Sequence, residues 1–271
     1  MCYSKEVQLI TGSIIVLSSI FYYLTYSLKF KQTNKAWLKP FLTNVILIFL
    51  CIGLHQLFEF LSLTINNQII YKVGLIISIS SMYFMLRSLE VLANKKIYSQ
   101  ASLILIMLVA LHAFLSSMSF EGTSFFVRHH SVFIWATAWM LLFIYWHICA
   151  LNARKDLKDD DSRKIMLLYL LAVADLSFIL SAAYVIIGYF SFGVNVCQDS
   201  PSIWCTFFVI QAFFAPVFLS VLPKVFLRPN KEKEQKISKT IFYILLSILI
   251  LAILILSLPF FHCLTWKFIF P

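Results

Sequence analysis

The chain has 271 residues, of which 61% are hydrophobic and 13% are charged. Soluble domains contain about 25% charged residues, and so few charges cannot cover a water-soluble globule that carries 27 phenylalanines. The composition therefore excludes a soluble enzyme and a disordered chain, and it predicts an integral membrane protein.

Apolar stretches divide the chain into membrane spans. A spanning helix needs about 20 mostly apolar residues; five such stretches carry no charge, and three more contain one or two ionisable residues. We expect an all-α bundle forming one integral-membrane domain over residues 1–271. Eight spans follow, as a seven-helix core plus a peripheral C-terminal helix, or seven if the third segment is interfacial. The predicted spans are about 7–28, 40–63, 73–93, 98–119, 131–151, 165–189, 203–223 and 240–262.

Lysine and arginine residues indicate the orientation of the bundle. Seventeen of the 22 fall in the first, third, fifth and seventh loops, and such residues accumulate on the cytoplasmic side of membrane proteins. Both termini are therefore expected outside, in the cytoplasmic (plasma) membrane. Topology and attraction to anionic lipid at the cytoplasmic face explain the net charge of +10. Nucleic acid is not an expected partner, because the basic residues form no recognisable binding module.

The second span carries the most chemically informative pattern. His55 and Glu59 are one helical turn apart with Gln56 beside them, so one face of this helix is polar. A carboxylate that faces lipid is costly, and we expect this face to point inward. With Asp175 and Gln211 it would form an outward-facing pocket for a small or lipidic ligand, in a sensor or carrier. A structural membrane protein without a ligand is an alternative.

A metal site is a further hypothesis. An imidazole and a carboxylate one turn apart can bind one ion, and removal of Met1 would place an α-amine beside the Cys2 thiol. The chain would then be a membrane-embedded metal-dependent hydrolase that holds zinc or iron. The candidate ligands are Cys2, His55, Glu59, His112, His129 and His130.

Two other pairs of residues are expected to interact. Arg87 and Glu90 have the i, i+3 spacing of an intrahelical ion pair, near the cytoplasmic end of the third span. Cys197 and Cys205 both fall in the sixth loop, which is predicted outside, where an oxidising compartment permits a disulfide.

Two short patches resemble a known family. Residues 1–4 read MCYS directly before the first span, and Gln56 and Glu59 form a Gln-x-x-Glu pattern in the second. In these patches the chain is similar to an uncharacterised bacterial multi-pass membrane protein family whose members begin Met-Cys-Phe/Tyr-Ser. The resemblance implies that the N-terminus and the second span work together, and it implies no particular activity.

Overall fold

The described part of the chain is all-helical. The computed structural model describes residues 5–29, 36–95, 98–115, 130–157, 209 and 211–220, with scattered positions within 164–172 and 240–247. The helices bounded within these residues are α1 (Lys5–Lys29), α2 (Leu38–Ile65), α3 (Gln68–Ala93), α4 (Tyr98–Leu115), α5 (His130–Asp156) and α6 (Gln211–Ser220).

Four of the described helices, α1, α2, α3 and α5, are long and apolar enough to cross a membrane. This confirms the predicted all-α fold and the character of an integral membrane protein. The third segment, for which an interfacial position was the alternative, is a helix of 26 residues packed between α2 and α4. Helix α4 has 18 residues. Residues 116–119 and most of the last three predicted spans lie outside the described residues.

Two asparagines join α2 to α3 in a turn much shorter than the predicted loop of residues 64–72. Asn66 takes the left-handed conformation with φ of 50° and ends α2, which asparagine tolerates better than most residues. The side-chain oxygen of Asn67 then accepts hydrogen bonds from the backbone N–H groups of Ile69, at 2.9 Å, and Ile70. This N-cap starts α3 at once, so the two helices form a tight antiparallel hairpin.

Helices α1 and α2 cross where both have a glycine. A Cβ atom added to Gly53 would lie 2.8 Å from Cγ2 of Val16 and 3.0 Å from its backbone nitrogen. A Cβ atom added to Gly12 would lie 3.0 Å from Cβ of Gln56. The backbones therefore approach closely because both positions lack a side chain, as is common at helix contacts in membranes.

Helix α3 is central and packs against α2, α4 and α5. The Nε1 group of Trp146 in α5 donates a hydrogen bond of 3.3 Å to the backbone oxygen of Met85 in α3. Large side chains with under 2% exposure fill the space between helices, and they include Trp139, Trp146, Tyr71, Phe41 and Phe143.

Contacts at the helix ends show which termini lie together. At one end of the bundle, Lys95 after α3 pairs with Asp156 of α5 at 2.5 Å. At the opposite end of α3, the ammonium group of Lys72 donates to the backbone oxygen of Phe114, 3.3 Å away near the end of α4. The second contact therefore holds the start of α3 beside α4.

Glu90 connects α3 to the start of α4. Its Oε1 atom accepts hydrogen bonds from the backbone N–H and the hydroxyl of Ser99, at 2.9 and 2.7 Å. Its other oxygen pairs with Arg87. The carboxylate thus satisfies an N–H group of the first turn of α4 that the helix itself cannot satisfy.

Replacing Glu90 with alanine is expected to lower the free energy of unfolding by about 1 kcal/mol, the usual effect of losing such a helix cap. Glu90→Gln should retain most of the stability because its amide oxygen still accepts from Ser99. Unfolding in mixed micelles with increasing denaturing detergent measures both variants. Equal stability of Glu90→Ala and the wild type would contradict the capping role.

Candidate functional site

Five polar side chains from three helices meet inside the bundle. Helix α2 contributes His55, Gln56 and Glu59, α1 contributes Gln8, and α3 contributes Tyr71. All five are buried, with exposed fractions between 0% and 4%. We call this group the Glu59 cluster. Its α2 residues are those whose spacing predicted an inward-facing polar stripe, and the structure buries that stripe.

The carboxylate of Glu59 is the centre of the cluster. Gln56 donates a hydrogen bond of 3.4 Å from Nε2 to Oε2 of Glu59, and the side chain of Gln8 also hydrogen bonds to this carboxylate. The Nε2 atom of His55 lies 3.9 Å from Oε2. Amide donors from two helices therefore replace part of the hydration that a buried carboxylate loses in a membrane.

Glycines allow the neighbouring helices to reach this carboxylate. Gly12 packs against Gln56 at the α1–α2 crossing. On the other side, a Cβ atom at Gly74 of α3 would lie 3.0 Å from Cβ of Phe58 and 3.5 Å from Nδ1 of His55. The Glu59 cluster is consequently enclosed by backbone on both sides of α2.

The Glu59 cluster is rich in hydrogen-bond acceptors. Oε1 of Gln8 is buried and accepts no hydrogen bond from the residues that the structure describes. The two carboxylate oxygens of Glu59 have more lone pairs than the two amide donors use. A buried acceptor without a donor costs roughly 1–3 kcal/mol. The arrangement can thus bind a group that brings N–H or O–H donors.

Gln211, another predicted pocket residue, lies in α6 and is buried, with its Oε1 accepting no hydrogen bond from the described residues. Helix α6 packs on α1 and α2 through Phe218 and Leu219. The hydroxyl of Tyr26 donates to the backbone oxygen of Leu219, and the rings of Phe49 and Phe218 are 6.0 Å apart.

His112, a predicted metal ligand, lines a cleft between α4 and α5. Within the described residues, no three His, Cys, Asp or Glu side chains are grouped as a metal site requires. Among the described residues, His55 and Glu59 therefore supply two candidate ligands, whereas zinc sites in proteins use three or four.

The other predicted site residues are described only in part. Arg87 and Glu90 form an ion pair, with Arg87 partly exposed. His130 begins α5, but its side chain is not described. The candidates outside the described residues are Cys2, His129, Asp175, Cys197 and Cys205.

Gln8 and Tyr71 belong to the Glu59 cluster but were not predicted from the sequence. A signal for Gln8 is present, because Gln8, Thr11 and Ser19 share one face of α1 and all three are buried. Tyr71 gave no signal, since a tyrosine near a helix end is typical of the membrane interface.

The chain matches no family model, no curated protein and no solved structure, so the arrangement of its own residues is the basis for assigning a function.

Proposed function

We propose that this chain is a multi-pass membrane protein that binds a small or lipidic ligand at the Glu59 cluster and acts as a sensor or carrier. One observation carries the proposal: the bundle buries a carboxylate, an imidazole and two amides from α1 and α2 against one another. Polar groups within a membrane are costly, and they are commonly functional.

The ligand that fits these groups is a hydrogen-bond donor. The acceptors are the carboxylate of Glu59 and the amide oxygen of Gln8, and a protonated amine or a hydroxyl group would complement both. Since these side chains are buried, a ligand reaches them when α1 moves away from α2. Opening and closing motions of loops and domains accompany binding in many enzymes.

We further propose that Gln211 belongs to the same site. Gln56 lies seven residues after Phe49, and Gln211 lies seven residues before Phe218, the ring that contacts Phe49. With α6 antiparallel to α2, as the eight-span arrangement requires, both glutamines lie about 10 Å from the ring pair in the same direction. Asp175 is the remaining proposed member.

The finer membrane arrangement is also proposed: eight spans, both termini outside, in the cytoplasmic membrane. Two contacts support it. Lys95 pairs with Asp156, and the ammonium group of Lys164 lies 5.8 Å from the ring centre of Trp37. Residues in or next to the first, third and fifth predicted loops thus lie at one end of the bundle. This end is the proposed cytoplasmic face and the proposed site of contact with anionic lipid.

A ligand screen read by thermal unfolding in nanodiscs tests the binding proposal. A panel of amines, alcohols and lipids should contain a compound that raises the unfolding temperature of the wild type. At a ligand concentration of 100 times Kd, the stabilisation is about 2.7 kcal/mol. Glu59→Gln keeps the size of the side chain and removes its charge, so this variant should lose most of the shift.

Glu90→Gln is the matched control, because it makes the same substitution at the buried carboxylate of another helix. It should keep the full ligand-dependent shift. An unchanged shift in Glu59→Gln would contradict binding at the Glu59 cluster, as would a folded wild type that no compound in the panel stabilises.

Thiol labelling tests the orientation. After reduction of intact cells, a membrane-impermeant maleimide should label Cys197 and Cys205, because the sixth loop is proposed to face outward. Single-cysteine variants separate the two sites, and Cys51 and Cys149 within α2 and α5 serve as membrane-embedded references. Labelling that appears only after permeabilisation would place the loop inside and reverse the topology.

A further inference from the structure

Two buried carboxylates of the bundle differ in what balances their charge. Glu59 and Glu90 are each 4% exposed. Glu90 pairs with Arg87 and accepts two hydrogen bonds from Ser99, at 2.9 and 2.7 Å. Among the described residues, no lysine or arginine forms an ion pair with Glu59. The described helices therefore supply a permanent cation to one buried carboxylate and none to the other.

The side chains around Glu59 balance little of its charge. Gln56, which donates a hydrogen bond of 3.4 Å, and Gln8 are both neutral amides. The Nε2 atom of His55 lies 3.9 Å from Oε2 of Glu59, which is longer than a hydrogen bond, and an imidazole is positive only when it is protonated. Since a buried carboxylate requires a paired charge, the site favours a ligand that brings a positive charge.

Three acceptor groups are available to such a ligand. They are the carboxylate of Glu59 and the Oε1 atoms of Gln8 and Gln211. Both amide oxygens are buried and accept no hydrogen bond from the residues that the structure describes. Gln211 enters through the proposed function of the Glu59 cluster, on which this inference rests. A primary ammonium group has three N–H donors and no acceptor, so it can donate one hydrogen bond to each of the three.

Close packing around the cluster selects a compact group. A Cβ atom added to Gly12 would lie 3.0 Å from Cβ of Gln56. A Cβ atom added to Gly74 would lie 3.5 Å from Nδ1 of His55. A primary ammonium group is a compact charge, whereas a quaternary ammonium group is larger and has no N–H donor. A hydroxyl group has one donor and no charge, so it matches neither the charge nor the number of acceptors.

We propose that the ligand of the Glu59 cluster is a primary amine that binds through its ammonium group. One N–H group donates a charge-assisted hydrogen bond to the carboxylate of Glu59, and the other two donate to Gln8 and Gln211. The ammonium group thus balances the charge of Glu59 as Arg87 balances that of Glu90.

Probes of equal chain length test the head group. Hexylamine, hexan-1-ol and hexyltrimethylammonium are titrated into the full chain in nanodiscs, and thermal unfolding gives the affinities. Hexylamine should bind about tenfold more tightly than hexan-1-ol, because hydrogen bonds between charged groups are stronger. Hexyltrimethylammonium should give no shift. Protonated N-methylhexylamine has two N–H donors and should bind about fivefold more weakly than hexylamine.

Variants and outcomes separate this inference from the proposed function. Glu59→Gln should abolish the hexylamine shift, and Glu90→Gln should keep it. A larger shift with hexan-1-ol or hexyltrimethylammonium that Glu59→Gln abolishes would retain binding at the Glu59 cluster and overturn the primary amine. No hexylamine shift in the wild type would also overturn the primary amine, whereas stabilisation by another compound would still support the proposed function.

Gln56→Lys tests charge compensation from within the chain. It places an ammonium group three residues before Glu59, and Arg87 precedes its partner by the same spacing. This group should occupy the carboxylate and abolish the hexylamine shift. Leu61→Lys adds the same charge at an exposed position of α2 and should keep the shift. A full shift in folded Gln56→Lys would overturn the proposal; if this variant does not fold, the head-group comparison in the wild type decides.

Discussion

Glu59→Ala is expected to lower the free energy of unfolding by about 1–3 kcal/mol. The substitution leaves the amide groups of Gln8 and Gln56 buried without the carboxylate to which they donate. It also opens space inside a packed helix contact, where nearby atoms can relax only in part. Unfolding by denaturing detergent in mixed micelles gives the free energy directly.

Two variants make this result specific to the Glu59 cluster. Glu6→Ala removes an exposed carboxylate from the first turn of α1 and should change stability by less than about 1 kcal/mol. Glu59→Gln preserves an acceptor at the same place and should be close to the wild type in stability, although it loses the ligand response. Wild-type stability of Glu59→Ala would show that the amides do not depend on this carboxylate.

Gly53→Val is expected to separate α1 from α2 and to lower the free energy of unfolding by about 1–3 kcal/mol, the usual cost of overpacking. A Cβ atom at Gly53 would lie 3.0 Å from the backbone nitrogen of Val16, and a backbone atom cannot rotate away. Because Gln8 reaches Glu59 from α1, the same displacement should also reduce ligand binding at the Glu59 cluster.

A second substitution tests this geometry. Val16→Ala removes the Cγ2 atom that lies 2.8 Å from the added Cβ, so Gly53→Val with Val16→Ala should regain part of the lost stability. Ala101→Val adds a similar volume at an exposed position of α4 and should be close to neutral. Additive effects of the changes at Gly53 and Val16, with no recovery, would contradict direct contact between them.

Hydrophobic patterning was sufficient to predict the first, second, third and fifth spans as helices, because a bilayer requires long apolar segments whose backbone groups bond internally. At their facing ends, α2 and α3 extend two and five residues beyond the predicted spans. The apolar pattern fades toward a helix end, whereas the turn is set by the left-handed backbone of Asn66 and the cap at Asn67.

The candidate site was predictable only where its residues lie on one helix. His55, Gln56 and Glu59 follow from helical spacing, because side chains one turn apart share a face. That Gln8 reaches Glu59 and that His112 lines another cleft depend on which helices are neighbours. Apolar periodicity does not encode this, since almost any pair of such helices could be adjacent in a membrane.

By itself, the sequence determined that this protein lies in a membrane as helices and that a polar stripe on the second span faces inward. Because the chain carries few charges, its long apolar segments lie in the lipid bilayer and not in water. A carboxylate on such a segment turns away from lipid. The tertiary structure alone decided what surrounds that stripe. Contacts at Gly12, Gly53 and Gly74 bring the backbones of α1 and α3 close to α2, and this close packing encloses the Glu59 cluster.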